Sequence, residues 1–165
     1  MKTLLLLRHA KSSWKEAGQA DHSRPLNKRG LRDAPRIGAL LGTQKIEPEL
    51  IVSSSAVRAL LTAEAVAEAL DIETPLIKED ALYLASSSAY IECARYVDQG
   101  VQSILMVGHN PGISDLLFTL TGCDDPMPTA ALAQIEFSID GWKELSLETQ
   151  GNLVNFWRPK DLDAR

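Results

Sequence analysis

The sequence predicts an α/β fold, a three-layer α/β/α sandwich with a mostly parallel central sheet. Three observations predict it. Apolar runs of strand length alternate with longer stretches whose apolar residues recur at helical spacing, the pattern of strands joined by crossover helices. The run Thr3–Leu7 reads TLLLL with no polar residue among its leucines, as a strand covered on both faces does. Three such runs stop abruptly, at Arg8-His9, at Ser53-Ser54-Ser55 and at Gly108-His109-Asn110, the last two directly ahead of a helix.

Taken in order, Thr3–Leu7 is the first strand. Leu31, Ala34, Ile37 and Leu41 fall at helical spacing and predict a helix over 28–42. Pro35 lies inside it, as a kink or as the mark of a later start. Leu50–Ser53 is a second buried strand. Arg58–Leu70 is rich in alanine and leucine, hence helical. Thr74–Ile77 is a short third strand. Ser86–Ser88 supply a cap for a helix running to about Gln99. Ile104–Val107 is a strand bounded by Gly108. Pro111 opens a helix that Gly122 closes. Ala131–Ile139 and Leu153–Trp157 are strands near the C-terminus. No repeat, low-complexity tract or linker interrupts the chain, so 1–165 reads as a single domain.

The totals exclude several function classes. The chain has 165 residues, 45% of them hydrophobic, and a net charge of −5, which fits one ordinary globular domain. An acidic balance argues against non-specific binding to nucleic acid or to anionic membranes. No apolar segment reaches the length of about 18 residues needed to span a bilayer. Met1-Lys2-Thr3 and the four leucines resemble the start of a signal peptide, but such a core needs about 7–15 apolar residues. This run stops at Arg8-His9-Ala10-Lys11, so a cytoplasmic protein is expected. Cys93 and Cys123 are far apart and read as free thiols. A cysteine phosphatase needs Cys, five residues, then Arg; the positions in question hold Gln99 and Thr129. The three histidines show no metal-ligand spacing, so no metal and no cofactor is expected.

The chemistry gathers at strand ends. In open parallel sheets, ligands bind beyond the carboxyl ends of the strands. If the three strands are neighbours, that edge receives Arg8 and His9, Arg58 and His109, together with two helix N-termini. Helix N-termini and arginine forks both hold anions. The residues therefore describe a phosphate pocket.

This pattern resembles the histidine phosphatase superfamily, also called phosphoglycerate mutase-like. The resemblance rests on Leu7-Arg8-His9-Ala10, on Asp21-His22-Ser23-Arg24-Pro25-Leu26-Asn27-Lys28-Arg29-Gly30, on Ser53-Ser54-Ser55-Ala56-Val57-Arg58-Ala59 and on Val107-Gly108-His109-Asn110-Pro111. Within that superfamily it looks most like the small SixA-type phosphohistidine phosphatases, which lack an inserted lid domain. The resemblance implies a catalytic set of His9 as nucleophile, Arg8 and Arg58 as phosphate clamps and His109 as the second pocket histidine. Arg24 matches a further phosphate-binding cation, against a local pairing with Asp21. The implied partner is a phosphoprotein bearing phosphohistidine or a small phosphorylated substrate, and a monomer is expected.

Three departures stand out. Ala10 replaces the glycine that usually follows the first histidine. Ser54-Ser55-Ala56 stands where a proline is usual. Asn110 follows the second histidine, where the acid-phosphatase branch has an aspartic acid that protonates the leaving group. Asparagine supplies no such proton. An alkoxide leaving group wants a general acid, whereas the imidazole of phosphohistidine leaves more easily. The sequence thus favours a phosphohistidine substrate. The alternative is a metabolite phosphomonoesterase using Glu79 or Asp80 as general acid, and a third reading is a non-catalytic phosphate-binding module. With no lid, the pocket should be shallow and open. His22 reads as a loop residue, Ser12, Ser13 and Trp14 as the pocket lip, and Lys28, Arg29, Arg32 and Arg36 as the solvated face of a helix.

Overall fold

The computed structural model describes residues 1–163. Six strands form one sheet in the order β3-β2-β4-β1-β5-β6. They are β1 (Lys2–Arg8), β2 (Leu50–Ser54), β3 (Leu76–Glu79), β4 (Ser103–Gly108), β5 (Leu132–Phe137) and β6 (Asn152–Trp157). The four on the β1 side run parallel, while β5 pairs antiparallel with both β1 and β6. The helices are α1 (Lys28–Thr43), α2 (Val57–Leu70), α3 (Ser87–Arg95), α4 (Gly112–Thr121) and the short α5 (Pro159–Asp163). None of them is long and apolar enough to cross a membrane.

The leucine run explains the layering. Leu4 and Leu6 belong to the core under α3 and α4, while Leu5 and Leu7 belong to the core under α1 and α2. All four are at most 1% exposed, and each such side chain contributes about 1.5–3 kcal/mol by leaving water. Both cores are thus built on opposite faces of one central strand.

Where elements differ from expectation, packing is the reason. α1 runs straight through position 35, from the Asn27 cap, whose side chain accepts from Gly30 N–H at 2.9 Å. Its buried face carries Gly30, Ala34, Ile37, Gly38 and Leu41, while Leu31 is 60% exposed. The face is set by small residues: a Cβ on Gly38 would collide with the Val66 carbonyl of α2. The arginines of α1 are not simply solvated. Arg29, Arg32 and Arg36 converge on the buried carboxylate of Asp33. Strand β3 begins two residues later than its apolar run suggests. Pro75 lends its carbonyl to Ile51 N–H, and the paired register starts at Leu76 and continues through the polar Lys78 and Glu79. Helix α3 stops at Arg95, short of Gln99, where a turn closed by Asp98 on Gly100 N–H takes over. Ser86 is its N-cap residue, but the hydroxyl meets Ser88 instead of a backbone N–H. Pro111 occupies the N-cap of α4, and Gly122 closes that helix at φ +79°.

Candidate active site

Strands β2, β4 and β1 are parallel neighbours, so their carboxyl ends meet. Arg8 lies opposite Gly108, and the pairing continues one residue further through His9 N–H to the Gly108 carbonyl at 3.0 Å. This sets the His9 and His109 rings side by side, with centroids 5.0 Å apart. Arg58, in the first turn of α2, is 4% exposed. A buried cation at the positive end of a helix calls for an anion. The sequence-predicted quartet is therefore brought together.

The surroundings of His9 fix its tautomer. Its Nδ1 lies 2.7 Å from the Ala10 carbonyl, which can only accept. Nδ1 therefore carries the proton and Nε2 carries the lone pair. Burial, followed by the nearby His109, Arg58 and Arg8 and opposed by that hydrogen bond, lowers its pKa to about 3. The imidazole is neutral at any ordinary pH. Ala10 has no positive φ, so a side chain in place of glycine is accommodated. Its N–H donates to Thr62 Oγ1 at 3.0 Å, and Thr62 donates to the Arg58 carbonyl at 2.7 Å. The chain after β1 is thereby tied to α2. On the other side, Ala130 donates its N–H to the carbonyls of Arg8 and His9 from a left-handed conformation, φ +61°.

His109 is held as firmly. Its backbone N–H donates to Tyr90 Oη at 3.1 Å. Ser54 Oγ accepts from Ala56 N–H and lies 2.8 Å from His109 Nε2. With the serine proton given to Nε2, Nδ1 becomes the protonated nitrogen. It is buried and without a hydrogen-bond partner among the described residues, like Arg8 Nε and Arg58 Nε. Three orphaned nitrogens in one pocket are an unfilled demand for acceptor oxygens. Burial and the Arg58 charge lower the His109 pKa to about 4.

Asp21 organises the arginines. Its carbonyl and Oδ2 accept from Arg58 Nη1 and Nη2 at 2.8 and 3.1 Å, and its Oδ1 accepts from Arg24 Nε at 3.1 Å. Tyr83 Oη donates to Oδ2 at 2.6 Å. The Tyr83 bond above all, then the Arg58 charge and the two arginine bonds, lower the Asp21 pKa to about 2 against the opposing desolvation. Arg24 is buried, with Nη1 2.7 Å from Ser12 Oγ and its guanidinium 3.5 Å above the Trp14 ring. It pairs locally with Asp21 and reaches the quartet through that carboxylate. Trp14, 74% exposed, forms the outer wall of this arrangement.

The two acidic candidates lie elsewhere. Glu79 accepts from Ala81 N–H at 3.1 Å, and Asp80 is exposed. Among the described residues neither hydrogen-bonds to the quartet. Asn110 is also spoken for. Its Nδ2 donates to the Met127 carbonyl at 2.9 Å and its Oδ1 accepts from Ser114 at 2.6 Å. The same Met127 carbonyl accepts from Arg8 Nη1 at 3.1 Å. His22 and Tyr83 are the residues sequence reasoning missed. His22 Nε2 lies 2.9 Å from Ser55 Oγ, and its ring meets the Tyr83 ring edge-on at 4.7 Å. The Ser55 of the proline-less turn is thus a contact point, a pairing that no sequence spacing signals. No group of three or more His, Cys, Asp or Glu among the described residues is arranged to hold a metal.

Comparison with known proteins agrees with this geometry. Residues 4–83 match the model of the histidine phosphatase superfamily, branch 1. A protein assigned as the phosphohistidine phosphatase SixA of Agrobacterium tumefaciens is 30% identical, with a TM-score of 0.83 over 96% of this chain and 98% of its own. The protein histidine phosphatase SixA in complex with tungstate is 25% identical, with a TM-score of 0.78 over 97% and 99%. An uncharacterised protein of Mycobacterium leprae is 31% identical over 93% of this chain and 100% of its own length. The chain belongs to the histidine phosphatase superfamily, with its phosphoglycerate mutase-like fold. Within it the chain is of the SixA type, and it is a phosphatase.

Proposed function

We propose that this phosphatase hydrolyses phosphohistidine carried on a protein, without a metal ion, through a phosphohistidine formed on its own His9. The observation that carries the reading is the His9 tautomer, neutral and with Nε2 free beside three unpartnered nitrogens. His9 Nε2 attacks phosphorus as the bond from phosphorus to the substrate imidazole breaks; that imidazole, already protonated on its other ring nitrogen, takes the bonding pair and leaves neutral, so no proton from the enzyme is required. Water then attacks the phosphoryl group on His9, the bond to Nε2 breaks, and phosphate departs. Covalent catalysis divides one difficult step into two. Arg8, Arg58 and His109 are the donors for the equatorial oxygens, where positioning and electrostatics do most of the work. Arg24, through Asp21, keeps Arg58 in place.

The leaving group decides between substrates. Asn110 uses both ends of its amide on protein partners, and neither Glu79 nor Asp80 bonds to the quartet. Asp21, on Arg58, is ionised, its pKa lowered to about 2, and holds no proton to give; with no other described carboxyl bonded to the quartet, the site suits a phosphoramidate better than an alkyl ester. That a related SixA forms a complex with tungstate, a tetrahedral oxyanion, supports anion binding by this type of protein.

The test is phosphate release from a phosphohistidine protein and from a panel of phosphomonoesters, with His9→Ala as control. Release from phosphohistidine that is at least about a hundredfold faster than from esters, and absent in the variant, is expected. Efficient turnover of one ester would replace this reading with the metabolite phosphatase. Equal, negligible activity in wild type and variant would leave a phosphate-binding module.

A further inference from the structure

We infer that the groove beside Arg8 is a second anion subsite, selecting substrates that carry a carboxylate or phosphate next to the phosphoryl group to be transferred. The inference rests on the reading above only in placing that phosphoryl group at His9. The groove, about 380 Å³, is lined chiefly by Arg8, Asn110, Asp125, Met127, Arg158 and Lys160.

Four observations carry it. The groove adjoins the quartet, because Arg8, the residue before His9, is one of its walls. Its charge is opposite to that of the molecule: among the described residues three cations and one carboxylate line it, with a second carboxylate, Asp161, on Arg158, in a chain of net charge −5. Its far wall is placed in advance. Arg158 lies 4.5 Å above the Phe156 ring and is held by Asp125 at 3.4 Å and Asp161 at 3.8 Å. A guanidinium already positioned loses little freedom when it takes an anion. Finally, the groove side of Arg8 is fixed by the Met127 carbonyl, which also receives Asn110, while Ser114 joins Asn110 Oδ1 to Met127 N–H.

The Asp125 carboxylate is 65% exposed. Its pairing with Arg158 is therefore weak and open to exchange with an incoming anion. Pro126 and Met127 add an apolar surface against which a short carbon skeleton can lie. The chemistry recognised is thus one molecule with two anionic ends: the transferred phosphoryl between Arg8 and Arg58, and a second group between Arg158 and Lys160. A side-chain carboxylate flanking phosphohistidine and the carboxylate of a small phosphorylated acid both meet that description.

The test uses phosphonates, which cannot be hydrolysed. Calorimetric titration compares methylphosphonate with 3-phosphonopropionate. The wild type is expected to bind the carboxylated ligand about tenfold more tightly. Arg158→Gln with Lys160→Gln should remove most of that preference, and Lys160→Gln alone, at an exposed residue, part of it. Thermal melting checks that each variant is folded. Equal affinities in the wild type, or a preference that survives the double substitution, would overturn the subsite. Turnover then identifies the carrier, using phosphohistidine peptides with a neighbouring Glu or Gln and small alkyl phosphates with or without a carboxylate. A preference in either pair that the double variant loses supports the subsite, and none in both pairs counts against it. Absence of all turnover with the phosphonate preference intact would sink the phosphohistidine reading while upholding the subsite.

Discussion

Asp21 is the residue on which the cationic side of the pocket turns. It gives Arg58 a carbonyl and a carboxylate oxygen, and gives Arg24 the other oxygen. It also lowers the positive charge that a phosphate would meet. Its removal should therefore act in two directions. Asp21→Asn is expected to lower kcat about tenfold, because misplacing a clamp by a fraction of an ångström is costly. KM should not rise, because the pocket becomes more positive. Steady-state kinetics on one substrate separates the two, and a large rise in KM with kcat unchanged would show that Asp21 contacts substrate instead. Arg8, His9, Arg58 and His109 were legible because each sits at a strand end or, for Arg58, in the first turn of the helix that follows one, and strand ends can be found by apolar runs. Tyr83 and His22 were not. Tyr83 lies after a short helical turn beyond an edge strand and His22 in the 3-10 turn Asp21–Ser23, where a loop was expected, and their rings pack edge-on.

At the scale of elements, the register of β1 against β4 and the seat of α3 decide where His109 points. Gly108 ends β4 against Tyr90 of α3, and a Cβ on Gly108 would collide with the Tyr90 hydroxyl. That hydroxyl also accepts from His109 N–H. Gly108→Ala is thus expected to cost about 2–3 kcal/mol of stability, through overpacking and a buried amide left unpaired. Adding Tyr90→Phe should return part of the stability and none of the activity, as read by urea unfolding and phosphate release. Simple additivity of the two losses would show that the contact is unimportant. Periodicity found every strand, and its errors share a cause. Leu31 shares the helical spacing of Ala34, Ile37 and Leu41 yet is exposed, and α1 meets α2 at Gly38, where the backbones approach too closely for a side chain. Apolarity marks what can be buried, and small size marks where helices touch.

For the whole molecule, acid stability follows from keeping imidazoles neutral. The pKa of His9 falls from 6.5 to about 3 and that of His109 from 6.5 to about 4. In both the unfolded chain binds the proton more readily, so stability rises with pH across the interval. The contribution is complete above about pH 6.5 and is lost as pH falls towards 4 and then 3. Asp21 acts in a lower window, contributing above its ordinary 3.8 and losing that contribution towards about 2. Thermal midpoints measured from pH 7 to pH 4 should fall steeply in the wild type and less steeply in His109→Gln. Identical slopes would argue that His109 is not desolvated as described. The layer order of the molecule was visible in the alternation of runs, but the antiparallel turn at β5 and β6 was not, since an apolar run carries no direction.

The four leucines of β1 have one more consequence. A strand that slips by one residue exchanges its two faces, and here the exchange would put leucine in the place of leucine on both sides. The middle of β1 is therefore blind to its own alignment. What distinguishes one alignment from the next is the pair of polar stops at its ends. At one end Lys2, buried, reaches the carbonyls of Gln99 and Val101 at 2.5 and 2.9 Å. At the other, Ala130 N–H grips the Arg8 and His9 carbonyls while His9 N–H meets Gly108. The residues proposed to handle phosphate thus also serve as an alignment mark, so a chain threaded one step out of place would lose its reactive histidine and its correct registration in the same event.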